Sequence, residues 1–218
     1  MCEPFIRNCQ YNVIKSQADS VLRAVRTVGD PKVLESVRLS AAAKVEELFP
    51  DVRDSRKAML ESIANLKTAE DFHNYIQALE PYMLEFPRIT EKQIQKLFPK
   101  NKKLKLPDLE QVDWRHVTYL SWTDISTNKM FIVYHNGEQF VGVEGRFTAT
   151  NKKGYCFVCN RFEELVLLSA VSKKRPAHAL PDYYKSVGNY ICLNGHSCNK
   201  NITDAAPLEA FIGSVLDS

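Results

Sequence analysis

An α+β fold built from two domains is what this sequence predicts, and three observations carry the prediction. Over residues 8–83 apolar side chains recur every three or four positions, the period of helices with one buried face. From Val117 onward the period falls to two and β-branched and aromatic residues take over, as in strands. Four of the six cysteines stand in two short pieces, Cys156-x2-Cys159 and Cys192-x5-Cys198.

The first helix is predicted over residues 8–28, with Ile14, Ala18, Val21, Leu22 and Val25 on its apolar side. Gly29 stops it. Asp30-Pro31 restarts the chain as N-cap and first helical residue. Val33, Leu34, Val37, Ala41, Val45 and Leu48 then mark a second helix that ends near Phe49, before Pro50-Asp51. A third is predicted from Ser55 to Leu66, with Met59 and Ile63 inward. Thr68-Ala69-Glu70-Asp71 reads as a capping box with Asp in the place of Glu or Gln. It opens a fourth helix bearing Phe72, Tyr75, Ile76 and Leu79. Four amphipathic helices with short links pack most naturally as an antiparallel bundle, assigned to residues 1–83. His73 stands alone there and reads as a surface or packing histidine.

Pro81, Pro87, Pro99 and Pro107 punctuate the next stretch, which places a domain boundary near Leu84–Arg88 and assigns residues 84–218 to an α/β domain. Thr90-Glu91-Lys92-Gln93 caps a short helix to Phe98. Lys100, Lys102, Lys103 and Lys105 follow, either a solvated linker or a basic lip facing an acidic or phosphate-bearing partner. Strands are predicted at 118–122, 129–134 and 139–147, with Asn136-Gly137 as the hairpin turn between the last two. Further strands fall at 164–171 and 190–192, separated by a basic loop with Lys173, Lys174, Arg175, Pro176, His178 and Pro181. Thr203 or Asp204 caps a last helix with Leu208, Phe211, Ile212, Val215 and Leu216 on one side.

The cysteine spacing points to a metal. Two residues between thiols let both sulfurs of a tight knuckle face one point, as tetrahedral zinc requires at about 2.3 Å per Zn–S bond. Gly154, just before the knuckle, is available for the positive φ such a turn often needs. Cys156, Cys159, Cys192 and Cys198 form the predicted ligand set for one structural Zn2+, within about residues 150–218. His196 is the alternative to Cys198, because zinc also accepts an imidazole nitrogen. Disulfides are the rival reading of the four thiols, and unrelated buried thiols a weaker one. Cys2 and Cys9 lie far away in sequence and read as ordinary thiols. Knuckle, hairpin and then a helix carrying the second ligand pair is the layout of a treble-clef zinc finger.

Composition bounds the function. No apolar run approaches the ~20 residues of a membrane span. The start Met1-Cys2-Glu3-Pro4-Phe5 lacks the basic head and apolar core of a signal peptide, so a cytoplasmic protein is expected. Residues 1–99 hold 14 basic and 14 acidic side chains, and residues 100–218 hold 15 and 12. The cysteine-bearing half is therefore mildly basic. There is no Gly-rich phosphate loop, no G-x-S-x-G and no H-E-x-x-H, and four thiolates would leave the metal no open position. A non-enzymatic binding module is expected.

Several segments together resemble the elongation factor G-binding proteins, whose best-known members are the FusB-type fusidic acid resistance proteins. They are Gln10-Tyr11-Asn12, Lys103-Leu104-Lys105-Leu106-Pro107, Ser121-Trp122, Lys153-Gly154-Tyr155-Cys156-x-x-Cys159-Asn160, Gly188-Asn189-Tyr190-Ile191-Cys192-x5-Cys198-Asn199-Lys200 and Ile202-Thr203-Asp204. The resemblance implies a helical domain followed by an α/β domain with a treble-clef zinc finger. It implies binding of elongation factor G, on or off the ribosome, and release of the factor from the ribosome, including when fusidic acid traps it. By motif position Tyr155, Tyr190 and Phe211 match aromatic positions the family uses for binding, with Tyr155 where resistance proteins carry Phe. A family lysine corresponds to Val187 here, with Lys185 two residues away. For Phe211, core packing is an equal reading. A monomer is expected. The alternatives are an RNA- or ribosome-binding zinc-finger protein without factor contact and, from an older family label, a fibronectin-binding protein.

Overall fold

The structure, a computed structural model, describes residues 3–174, 178, 180 and 183–216. Cys2, Arg175, Pro176 and Pro181, named from the sequence above, lie outside the described residues. The chain divides into two compact units, Met1–Leu84 and Glu85–Ser218.

The first unit is helical. Helix α1 spans Asn8–Thr27, α2 Pro31–Glu47, α3 Asp54–Glu61 and α4 Ala69–Leu79, with 3-10 turns at Ser62–Asn65 and Glu80–Tyr82. Local chemistry sets the starts. The Asp30 side chain accepts from the Lys32 N–H at 2.8 Å with Pro31 as first helical residue. Thr68 and Asp71 exchange the two capping-box bonds, each 3.0 Å. Ile14, Ala18 and Val21 from α1 meet Ala41 and Val45 from α2, Ile63, and Ile76 and Leu79 from α4 in one core. The predicted stripe fails in the first turns of α2, where Val33 is 48% exposed. The third helix is shorter than its pattern. Ser62 Oγ donates to the Met59 carbonyl at 2.6 Å, and the chain tightens there into a 3-10 turn.

The second unit is a five-stranded antiparallel meander in the order β1 (Leu120–Asp124), β2 (Lys129–His135), β3 (Phe140–Tyr155), β4 (Phe162–Val171) and β5 (Ser186–Cys192). Helix α5 (Glu91–Leu97) precedes the sheet, and α6 (Gly195–Asn199) and α7 (Ala206–Val215) follow it. The Asn136–Gly137 turn joins β2 to β3 with Gly137 at φ 98. One group of sheet residues (Met130, Ile132, Val143, Leu168, Ile191) packs with Leu208, Phe211, Ile212 and Val215 of α7. Another (Leu120, Phe131, Val133) packs with Ile94 of α5, Phe86, Phe98 and Trp114. Their alternation along β2 is the period of two seen in the sequence.

Strand β3 runs eight residues beyond its predicted end. Between Thr148 and Lys153 the side chains are polar or small, so no burial alternation marks them as strand. Pairing with β4 holds them there nonetheless, across a register shift between Ala149 and Lys153. The extension delivers the chain directly into the cysteine knuckle.

Candidate metal centre and its surroundings

The knuckle is a tight turn closed by backbone bonds. The Cys156 N–H donates to the Arg161 carbonyl at 3.0 Å, and the Asn160 N–H to the Cys156 carbonyl at 2.9 Å. The left-handed residue of the turn is Asn160, at φ 50, and not Gly154. Gly154 lies in β3 opposite Glu163, where a Cβ would come within 2.9 Å of the Leu165 side chain. Its role is space rather than a positive φ.

Cys192 ends β5, paired with Leu165 of β4. The Phe157 N–H reaches across to the Tyr190 carbonyl at 2.9 Å and ties the knuckle to β5. Asn194 caps α6, accepting from the N–H groups of His196 at 2.9 Å and Ser197 at 3.2 Å. The cap turns Cys198 inward. Cys198 thus belongs to a five-residue helix of its own and not to the last helix. That helix, α7, starts at Ala206, where the Asp204 side chain accepts from the Ala206 N–H at 2.9 Å.

The four sulfurs converge. Cys156 and Cys198 lie 3.9 Å apart and Cys159 and Cys192 3.7 Å apart, and all four ligand atoms fall within 4.8 Å of one another. A tetrahedron with 2.3 Å arms has edges of about 3.8 Å, so the sulfurs are spaced for a metal at their centre. They are not spaced for disulfides, whose S–S distance is about 2.05 Å. All four cysteines are buried and free. Hydrogen bonds among the sulfurs, first with Cys159, hold the Cys156 thiol well below its ordinary range. The bond to Cys156 leads in pushing Cys198 far above its own. A cation at the centre removes that conflict by letting all four ionise. His196 is exposed and lies outside the cluster, so the fourth ligand position is that of Cys198.

Of the residues assigned to partner contact, Tyr155 and Tyr190 are 69% and 53% exposed beside the knuckle. Lys185 is exposed, and Val187 is half-buried against the core. Phe211 corrects its assignment as a contact residue. It is 3% exposed and packs on Phe157 with ring centroids 5.3 Å apart, so it presents no ring to a partner. Sequence reasoning missed Phe162, 59% exposed and edge-to-face with Tyr155 at 5.6 Å. Only the β3–β4 register, which sets the two opposite each other, reveals it. It also missed Asn199. Its buried side chain accepts from the N–H of Thr118 at 2.7 Å and of Tyr119 at 3.3 Å, and donates to the carbonyls of Tyr119 at 2.8 Å and Gly195 at 3.0 Å.

A knuckle, a β-hairpin and a short helix bringing four buried thiols to one point define a treble-clef metal-binding protein. The comparisons agree. The chain belongs to the elongation factor G-binding protein family: residues 5–87 match its N-terminal domain, and residues 95–212 match the domain described as FBP C-terminal treble-clef zinc-finger. Among solved structures it is similar to that of the fusidic acid resistance protein FusC, with a TM-score of 0.80 and 26% identity over 96% of this chain and 97% of that one. No curated protein matches it in sequence. Among the described residues, no helix is long and apolar enough to cross a membrane.

Proposed function

We propose that this protein binds elongation factor G through its second unit, residues 85–218, and promotes release of the factor from the ribosome, including from the complex that fusidic acid stalls. It acts as a cytoplasmic monomer without catalytic chemistry. One Zn2+ held by Cys156, Cys159, Cys192 and Cys198 is a structural part of that unit, and residues 1–83 form an antiparallel four-helix bundle. The observation that carries the reading is the exposed aromatic group Tyr155, Phe162 and Tyr190 around a buried four-thiol centre, in a chain of this family. Large aromatics held by a rigid scaffold are the anchors expected of an interface hot spot. Lys152 and Lys153, exposed just before the knuckle, supply a basic rim that speeds encounter with an acidic partner, and Lys185 adds an exposed charge at the opposite end of β5.

A direct contact to ribosomal RNA is the second reading. Lys100, Arg146 and Lys173 line an open cleft of about 720 Å3 in the same unit, where the one carboxylate among the described lining residues, Glu144, is taken by Lys129 at 2.5 Å. One experiment separates the two readings: affinity purification of the full chain, with elongation factor G and ribosomal RNA both quantified. Stoichiometric factor after nuclease treatment supports the first reading; RNA without factor supports the second. Within the first, Tyr190→Ala and Phe162→Ala each weaken factor binding by at least about 1 kcal/mol. Full affinity in both variants, with zinc and circular dichroism unchanged, refutes this contact surface.

A further inference from the structure

From Phe140 to Arg146, strand β3 is paired along one side only. That side lies against β2, whereas its pairing with β4 begins at Arg146, opposite Ser169. Past Ser169 the two strands part. β4 keeps to β5, with the Ser172 N–H donating to the Lys185 carbonyl at 2.8 Å. The chain then turns to the end of α7, where the Lys173 N–H donates to the Val215 carbonyl at 2.7 Å. The gap between the strands opens into the cleft of about 720 Å3.

Backbone groups along an antiparallel strand point to alternate sides. The Phe147 N–H donates to the carbonyl of Asn128, the residue before β2, at 2.9 Å. The groups of Arg146, Glu144 and Gly142 therefore point away from β2. Arg146 meets Ser169 there. Glu144 and Gly142 have no strand partner on that side among the described residues, and both line the cleft. Their two N–H and two C=O groups form a free sheet edge, which is a template for one more strand.

Charge selects what that strand carries. Lys100, Arg146 and Lys173 line the cleft and are exposed. Glu144 is already held by Lys129 at 2.5 Å and by Asn101. The three cations are thus left without a carboxylate among the described lining residues. Val215 and Leu216, both buried, give the cleft an apolar wall. We propose that the cleft takes an extended segment of a partner protein, with acidic and apolar side chains in alternation, which adds as a strand to the free edge of β3. Side chains on a strand alternate between its faces, so the acidic ones answer the cations while the apolar ones rest on Val215 and Leu216. RNA would answer the cations, but its phosphates offer no donors to the edge carbonyls. A second copy of the chain would bring the same cations to the cleft and be repelled. The cleft lies at the end of β4 and β5 away from the knuckle, so the proposal stands apart from both the aromatic surface and the metal.

The test uses the full chain and a fluorescein-labelled hexapeptide of alternating valine and glutamate, with alternating valine and lysine as its counterpart. By fluorescence anisotropy the acidic peptide binds saturably and the basic one does not. Arg146→Glu combined with Lys173→Glu weakens binding about tenfold or more. Glu144→Pro weakens it at least about fivefold, because the N–H it removes is one that would pair with the added strand, whereas Glu144→Gln keeps that N–H and binds at least as well as wild type. Amide exchange in the wild type needs no variant. Bound peptide slows exchange at Gly142 and Glu144 and leaves Val143 and Gly145, already bonded to β2, unchanged. Failure of the acidic peptide to bind, equal binding of both peptides, or protection without this alternation overturns the proposal. So does oligouridine that binds while the acidic peptide does not, which makes the cleft an RNA site, and so does a dimer that protects Gly142 and Glu144 with no peptide present.

Discussion

Asn199→Ala tests the joint between β1 and the metal-bearing helix α6. The asparagine side chain makes four hydrogen bonds to backbone groups of Thr118, Tyr119 and Gly195. Alanine leaves the two N–H groups and the Tyr119 carbonyl without that partner. Tyr119 is fully buried, while Thr118 is half-buried and recovers part of its loss from water. At about 1–3 kcal/mol for each buried group left unsatisfied, the variant should lose about 3–5 kcal/mol. That is a large part of the roughly 5–15 kcal/mol that stabilises a typical domain. Both tryptophans, Trp114 and Trp122, lie in the second unit, so urea titration followed by their fluorescence reports this unit separately. The titration is run with zinc in excess, and bound metal is counted. A loss below about 1 kcal/mol at full metal content, the net worth of one ordinary hydrogen bond, would refute the reasoning.

Other outcomes follow from the same geometry. Chelation, or Cys156→Ser, should collapse the tryptophan signal while most helical circular dichroism from the first unit remains, because zinc–thiolate binding of roughly 10–16 kcal/mol in small peptides exceeds a domain's own stability; metal analysis should find one zinc per chain. Cys198→Ala should lose that metal and His196→Ala should keep it, and the reverse result would make the fourth ligand an imidazole. Phe211→Ala should cost about 3–5 kcal/mol of stability as a core truncation, measured by the same urea titration, and weaken factor binding no further than the loss of folded protein accounts for. Acid should loosen α4 first at its start. Hydrogen bonds from the N–H groups of Lys67 and then Thr68 hold Asp71 below the usual carboxylate range. Their stabilisation is therefore complete above about pH 4 and is lost as pH falls through the lowered value. Amide exchange at Asp71 that stays unchanged through that window would contradict this.

What the sequence determined by itself is local. The capping pairs Asp30-Pro31, Thr68/Asp71 and Thr90/Gln93 and the Asn136-Gly137 turn are contacts between residues at most three apart, so short spacings reveal them. The C-x2-C knuckle is legible for the same reason, and tetrahedral sulfur chemistry extends the inference to the second cysteine pair. Tertiary structure alone decided the rest. The same apolar letter describes Val33, left exposed on α2, and Phe211, buried on Phe157, because periodicity marks a face without saying what covers it. The length of β3 and the meeting of Tyr155 with Phe162 depend on register against β4. Asn199 binds Thr118 across a separation of 81 residues. No local pattern announces such a contact, since the chain between the two must first be folded by its own core before their hydrogen bonds can form.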